Sequence, residues 1–136
     1  MADTHDLGER STQTLDAALG FDITEMGEEL ARGRFEVTDV VRQPFGPVHG
    51  GAYAAMAEAL ASATTTRAVE PEGNIALGQS NHTSFLRPVT RGTVHAEARC
   101  RHRGRTSSVW EVEFTDDEGR LCALSRVTLA VRPRPR

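Results

Sequence analysis

Apolar and polar residues alternate most strictly over Thr93–His102, with Val94, Ala96, Ala98 and Cys100 on one face and His95, Glu97, Arg99 and Arg101 on the other. A period of two is the mark of a strand with one face buried. The alternation returns over Thr106–Thr115, through Ser108, Trp110, Val112 and Phe114, and Leu121–Val131 reads as the last strand. Arg103-Gly104-Arg105 and Asp116-Asp117-Glu118-Gly119 supply turns between these runs, so the second half reads as antiparallel hairpins. Upstream, Ala18–Met26 alternates in part, and Arg34–Val41 carries Phe35 and Val37 before its pattern slips. Ile75–Val89 is apolar at both ends and polar through Gln79–Ser84. These predict three further strands.

One stretch has a different character. From Ala52 to about Val69 the chain is dominated by alanine, with Met56 and Leu60, all strong helix formers. Apolar side chains lie almost all round this predicted helix, which marks it as buried rather than amphipathic. A loop broken by Pro44, Gly46 and Pro47 precedes it, and Glu70-Pro71-Glu72-Gly73 ends it. Residues 1–17 are polar and read as a loose arm, leaving residues 18–136 as one domain. One buried helix laid on a long antiparallel sheet is an α+β architecture.

Length and composition narrow the class. The chain has 136 residues, 38% of them apolar and 26% charged, ordinary for a globular domain with a small core. Association of subunits is a natural way to cover leftover apolar surface. No run approaches the roughly 18 apolar residues of a membrane span, and the acidic start does not read as a secretory signal. Cys100 and Cys122 fit free thiols in a reducing compartment, so a cytoplasmic location is expected. All 16 basic residues are arginine. Residues 1–86 carry a net −8 and residues 87–136 a net +5. That asymmetry suggests either an anionic ligand or a solvated sheet face, and the acidic total argues against a nucleic-acid footprint.

Two features could carry chemistry. Glu58 stands alone among Ala55-Met56-Ala57 and Ala59-Leu60-Ala61. A carboxylate buried among apolar groups must be paired, hydrogen-bonded or shifted in pKa, which is what a general base or nucleophile needs. The competing reading is a solvent-facing stripe. His49-Gly50-Gly51 opens the helix, where unpaired N–H groups and a partial positive charge could polarise a carbonyl; the plain alternative is a glycine-assisted turn. Gly50 and Glu58 lie about 12 Å apart on one helix at 1.5 Å per residue. If both act on one substrate, two antiparallel helices from two subunits are required, and a two-fold dimer supplies two such sites.

These residues resemble a known family. Gln43-Pro44-Phe45-Gly46-Pro47-Val48-His49-Gly50-Gly51-Ala52 with Glu58, Gly78-Gln79-Ser80-Asn81-His82-Thr83-Ser84-Phe85 and Arg87-Pro88-Val89 look like the hotdog-fold acyl-CoA thioesterases. Gly119-Arg120-Leu121-Cys122-Ala123 and Ala130-Val131-Arg132-Pro133-Arg134 narrow the likeness to the Arthrobacter-type 4-hydroxybenzoyl-CoA thioesterases, over roughly residues 18–134. The resemblance implies a helix wrapped by the sheet, dimers with a continuous sheet and shared active sites, and pairing of two dimers into a tetramer. It implies hydrolysis of an aromatic acyl-CoA to free acid and coenzyme A, with no metal, no other cofactor, no nucleic acid and no membrane partner. The alternatives are a broader phenylacetyl-type or medium-chain acyl-CoA thioesterase, or a non-catalytic acyl-CoA-binding protein on the same fold.

It also implies roles. Glu58 would be nucleophile or general base, Gly50 N–H the carbonyl-polarising donor, and Gln43 and His49 neighbours of the thioester. Ser62, one turn beyond Glu58, would offer a hydroxyl to water or to the carboxylate, in place of the family's threonine. Arg87 would meet a phosphate of coenzyme A and Thr106 the pantetheine or nucleotide. Arg105 replaces an expected serine, as a phosphate contact or a solvated side chain. Pro135 stands where a phosphate-binding arginine is expected, which turns attention to Arg134 or Arg136. Beyond these, His82 and Ser84 read as pocket lining or structural hydrogen bonders. Trp110 reads as core or interface against an acyl-stacking wall, and Tyr53 stays ambiguous.

Overall fold

The computed structural model describes residues 13–136. Six antiparallel strands form one sheet: β1 (Asp22–Met26), β2 (Leu30–Glu36), β3 (Asn74–Phe85), β4 (Thr93–Arg103), β5 (Ser107–Thr115) and β6 (Leu121–Pro133). Their order is β1-β2-β4-β5-β6-β3, so β1 and β3 are the edges. A short helix α1 (Leu15–Leu19) precedes the sheet, and the long helix α2 (Gly50–Val69) lies across it. This is the expected α+β arrangement, one long helix on an antiparallel sheet.

The strand alternation is realised in the core. Val94, Ala96 and Ala98 of β4, Ser108, Trp110, Val112 and Phe114 of β5, and Val127 and Leu129 of β6 are buried. They meet a stripe on α2 that recurs every four residues: Ala52 and Tyr53, Met56 and Ala57, Leu60 and Ala61, Thr64 and Thr65. Trp110 is sealed in this core and its indole N–H donates to Thr65 Oγ1 at 2.8 Å, which settles its place as core and gives a buried helix threonine its partner. Gly33 of β2 has no Cβ because Met56 Cε occupies the place, 2.4 Å from where that atom would sit.

Three predicted strands are corrected; the one expected over Ile75–Val89 ends at Phe85, ahead of Pro88. Ala18–Met26 splits into the end of α1 and β1, because Thr14 caps Ala17 N–H and Gly20 adopts the left-handed conformation that stops the helix. Arg34–Val41 is the tail of a strand that starts at Leu30; Asp39–Val41 is a single 3-10 turn. Ala31, Gly33, Phe35 and Val37 alternate inward, a phase in which Gly33 counts as a core position although it is not apolar. Of the loose arm expected over residues 1–17, residues 1–12 lie outside the described residues and Leu15–Ala17 form the first turn of α1. Among the described residues no helix is long and apolar enough to cross a membrane.

Candidate active site

The segment before α2 is held at both ends. Gln43 N–H donates to Pro47 O at 2.9 Å, and Gly46 N–H to Gln43 O at 3.0 Å. Val48 N–H reaches Val89 O at 2.8 Å and His49 N–H reaches Val41 O at 2.7 Å. These bonds deliver His49 to the N-cap position, where its Nδ1 accepts from Gly51 N–H at 2.8 Å. The assigned tautomer is therefore the one with the proton on Nε2. Capping by His49 takes the Gly51 donor, and Ala52 N–H bonds the His49 carbonyl at 2.9 Å, so of the first-turn donors the Gly50 N–H is left without a partner among the described residues.

A cleft of about 550 Å³ opens at this helix start. Gln43, His49, Gly50, Tyr53, Phe85 and Arg87 are among its walls. Four of the residues singled out from sequence thus converge on it: Gln43, His49, Gly50 and Arg87. Tyr53 and Phe85 are the walls that the periodicity missed as a pair, their ring centroids 6.2 Å apart. Phe85 is 59% exposed, yet its ring lies so close to Gly50 that a Cβ there would stand 2.7 Å from Phe85 Cζ. The signal that could have paired them is aromatic residues at the helix start and at the end of a strand that runs back along it. Tyr53 is buried between Phe35, Phe85 and Phe114, and its hydroxyl has no hydrogen-bond partner among the described residues. Burial, then the Cys122 and Asp116 charges, pushes its ionisation up to about 12.

Arg87 is exposed at the rim, and among the described residues no carboxylate pairs with it. Arg105, away from the cleft, is likewise exposed and has no carboxylate partner among the described residues. Arg134, by contrast, is 3.5 Å from Glu70, and Thr106 carbonyl accepts from Val131 N–H and from Arg132 Nη1. Arg105, Thr106 and Arg134 sit by the Asn74 end of β3, whereas Arg87 follows its Phe85 end. That is about 36 Å of strand at 3.3 Å per residue. One chain does not bring the four together.

Glu58 does not line the cleft, and here the expectation of a carboxylate sealed among apolar groups is corrected. In the single chain Glu58 is exposed. Its helix is apolar on both faces, but the chain's own sheet covers only the four-residue stripe; Ala54, Ala55, Ala59, Ser62 and Ala63 stay half-open. The Glu58 side chain runs instead across Gly78 of the edge strand β3. Ser62, expected beside it, points its hydroxyl back to Ala59 carbonyl at 3.4 Å.

The polar run in β3 is also assigned differently. Asn81 Nδ2 donates to Ala54 carbonyl at 2.9 Å, Thr83 Oγ1 donates to Asn81 Oδ1 at 2.8 Å, and Ser125 Oγ is 2.8 Å from Thr83 Oγ1. This chain ties β6, β3 and α2 together. His82, exposed, and Ser84, half-buried, are not members of it and do not line the cleft. The acidic turn Asp116–Gly119 is internally used: Asp116 accepts from Glu118 N–H, Arg120 N–H and Arg120 Nε. Among the described residues no group of His, Cys, Asp and Glu is arranged to hold a metal ion.

Residues 45–123 match the thioesterase superfamily. The chain is 38% identical over 120 residues to a protein of Mycobacterium tuberculosis assigned as an esterase, covering 87% of this chain and 86% of that one. It is 34% identical over 120 residues to the 1,4-dihydroxy-2-naphthoyl-CoA hydrolase of Listeria monocytogenes, covering 88% and 97%. Two crystal structures of a Staphylococcus aureus thioesterase, one a Gln→Ala and one a Glu→Ala variant, superpose with TM-scores of 0.84 and 0.85 at 29% and 30% identity. They cover 88% and 89% of this chain and 98% and 100% of those chains. The chain belongs to the thioesterase superfamily. It has the hotdog fold and is a thioester hydrolase.

Proposed function

We propose that the protein hydrolyses an aromatic acyl-CoA, 4-hydroxybenzoyl-CoA or a close relative, at sites built from two copies of the chain. The observation that carries this reading is the cleft at the start of α2, where the Gly50 end of the helix, two aromatic rings and an arginine with no carboxylate partner among the described residues face one space. The thioester carbonyl accepts from Gly50 N–H, in the field of the helix start. Gln43 and His49 flank it, His49 chiefly by holding the Gly51 turn. Tyr53 and Phe85 offer the acyl ring an apolar, aromatic surface. Arg87 meets a phosphate of coenzyme A.

Glu58 completes the site from the other copy, as nucleophile or as the base that activates water. A two-fold axis that sets Glu58 against the partner subunit's Gly50 must cross α2 halfway between them, at Ala54. Asn81 of β3 is bonded to that residue's carbonyl, so the same axis runs by the middle of the free β3 edge. It lays the Arg87 end of one β3 beside the Asn74 end of the other, where Arg105, Thr106 and Arg134 sit. Residues that are far apart in one chain then flank one nucleotide. The same pairing covers Leu77 and the half-open face of α2 and takes Glu58 out of bulk water. Two such dimers pair into a tetramer. Supporting the two roles, the Gln and Glu changed in the Staphylococcus aureus variants stand at the separation of Gln43 and Glu58.

The test is complementation. Gly50→Pro and Glu58→Ala chains, each inactive alone, are mixed by partial unfolding and refolding and assayed for thiol release from 4-hydroxybenzoyl-CoA. Shared sites predict that about a quarter of wild-type activity returns, since half the dimers are mixed and each carries one intact site. No recovery in mixed dimers, confirmed by mass, would overturn the shared site. A panel of acyl-CoA substrates checks the acyl class: equal kcat/KM for hexanoyl and 4-hydroxybenzoyl thioesters would sink the aromatic assignment.

A further inference from the structure

We infer that Gly78, with the bulge beside it in β3, is a positioning residue for the Glu58 carboxylate; this rests on the reading of Glu58 as the catalytic group. A Cβ on Gly78 would stand 1.9 Å from Glu58 Oε1, 2.7 Å from Cδ and 3.1 Å from Cγ. The end of the glutamate therefore lies flat on the strand backbone, in space that any other residue would fill. Backbone conformation does not require the glycine: Gly20, Gly46, Gly73, Gly92 and Gly119 have positive φ, and Gly78 does not. What Gly78 supplies is room, at a strand position where glycine is otherwise unfavourable.

The register of β3 points the same way. Gly78 pairs with Leu129 and Ser80 with Thr128, so Gln79 is an extra residue without a partner in β6. One inserted residue exchanges the two faces of a strand. Before the bulge, Ala76 and Gly78 face α2; after it, Asn81, Thr83 and Phe85 do. A single irregularity thus leaves a bare position under Glu58, a tether to Ala54, and an aromatic ring against Gly50. Bulges beside active sites commonly serve to re-aim side chains in this manner.

The device acts through Glu58, so its test is a double-mutant cycle. Gly78→Ala is expected to lower kcat for 4-hydroxybenzoyl-CoA at least tenfold, with KM within twofold and an unchanged elution volume on size exclusion. In a Glu58→Asp background, whose carboxylate is one methylene short of its place over the strand, Gly78→Ala is expected to change kcat less than twofold. A second cycle reads thermal unfolding instead of rate. Gly78→Ala should raise Tm in a Glu58→Ala background, where the space is empty, and fail to raise it in the wild type. Wild-type kcat in Gly78→Ala, or the same fold-loss in both backgrounds, would overturn the inference. Wild-type kcat in Glu58→Asp and Glu58→Ala would instead sink the role of Glu58. The Tm cycle would then decide alone: an equal Tm change in both backgrounds would overturn the inference.

Discussion

The two edges of the sheet are built to different ends. The β1 edge is five residues long, its register breaks between Ile23 and Glu25, and its charges are used up. Arg34 pairs with Asp22, Arg32 with Glu25 and Glu97, and Arg99 with Glu97. Short, bulged and charged is how natural sheets close an edge to other chains. The β3 edge is twelve residues long and exposes Leu77 and Phe85, with Leu86 just beyond. Glu58 and Arg87, which flank it, have no ion-pair partner among the described residues. One edge is a finished surface; the other is long and partly apolar, and Glu58, resting on Gly78, and Phe85, against Gly50, lie along it.

The sharpest way to break this contrast is Glu58→Gln. On the open side, kcat should fall by about 10²–10⁴, the usual worth of a general base, while circular dichroism and KM stay as in the wild type. Wild-type turnover would remove Glu58 from the mechanism. Next in size is Leu77→Arg, a charge set in the bare edge: light scattering should show a shift to monomer, with activity lost in step. The corresponding Thr24→Arg on β1 should leave the mass unchanged. Arg87→Ala should raise KM for the CoA thioester about tenfold, the worth of roughly 1.4 kcal/mol, and leave a truncated pantetheine thioester unaffected. Equal effects on both would make Arg87 structural.

Smaller effects belong to the finished part of the molecule. The Arg120 backbone N–H, aided by its guanidinium, holds Asp116 below the usual carboxylate value of 3.8. A lowered native value contributes stability above pH 3.8 that is lost as pH falls through it. Asp116→Asn should therefore lower Tm at pH 7, and the gap to wild type should close as pH drops below about 3.8. A gap that persists at pH 2 would mean that the hydrogen bonds, not the charge, carry the effect. Smallest of all, Arg34→Ala should change stability by less than about 0.5 kcal/mol in urea unfolding, as exposed ion pairs do.

Much of this was legible in the chain. Strands β4, β5 and β6 end within one or two residues of where they are expected, because hairpins form between neighbours whose side chains face one core. The helix and its opening His49-Gly50-Gly51 were equally plain. The N-terminal strands were not, since local caps at Thr14 and Gly20 outweigh a partial alternation, and a glycine under Met56 hides the phase of β2. Within the polar run of β3, His82 and Ser84 drew attention while Asn81 and Thr83 make the bonds; the bulge at Gln79 had exchanged the two faces. A bulge depends on what lies across the strand, so no local pattern announces it.

The order of residues along the chain was enough to specify one helix, an antiparallel sheet, a polarised helix start and a lone acid two turns beyond it, because each is a relation between near neighbours. Tertiary structure alone decided that Phe85 returns to Gly50, that Arg87 and Arg134 lie at opposite ends of the sheet, and that Glu58 rests on Gly78 in the open. Those are relations across the fold. An apolar helix face looks the same in sequence whether its own sheet covers it or leaves it open, and only the packed chain shows which side of α2 is still uncovered.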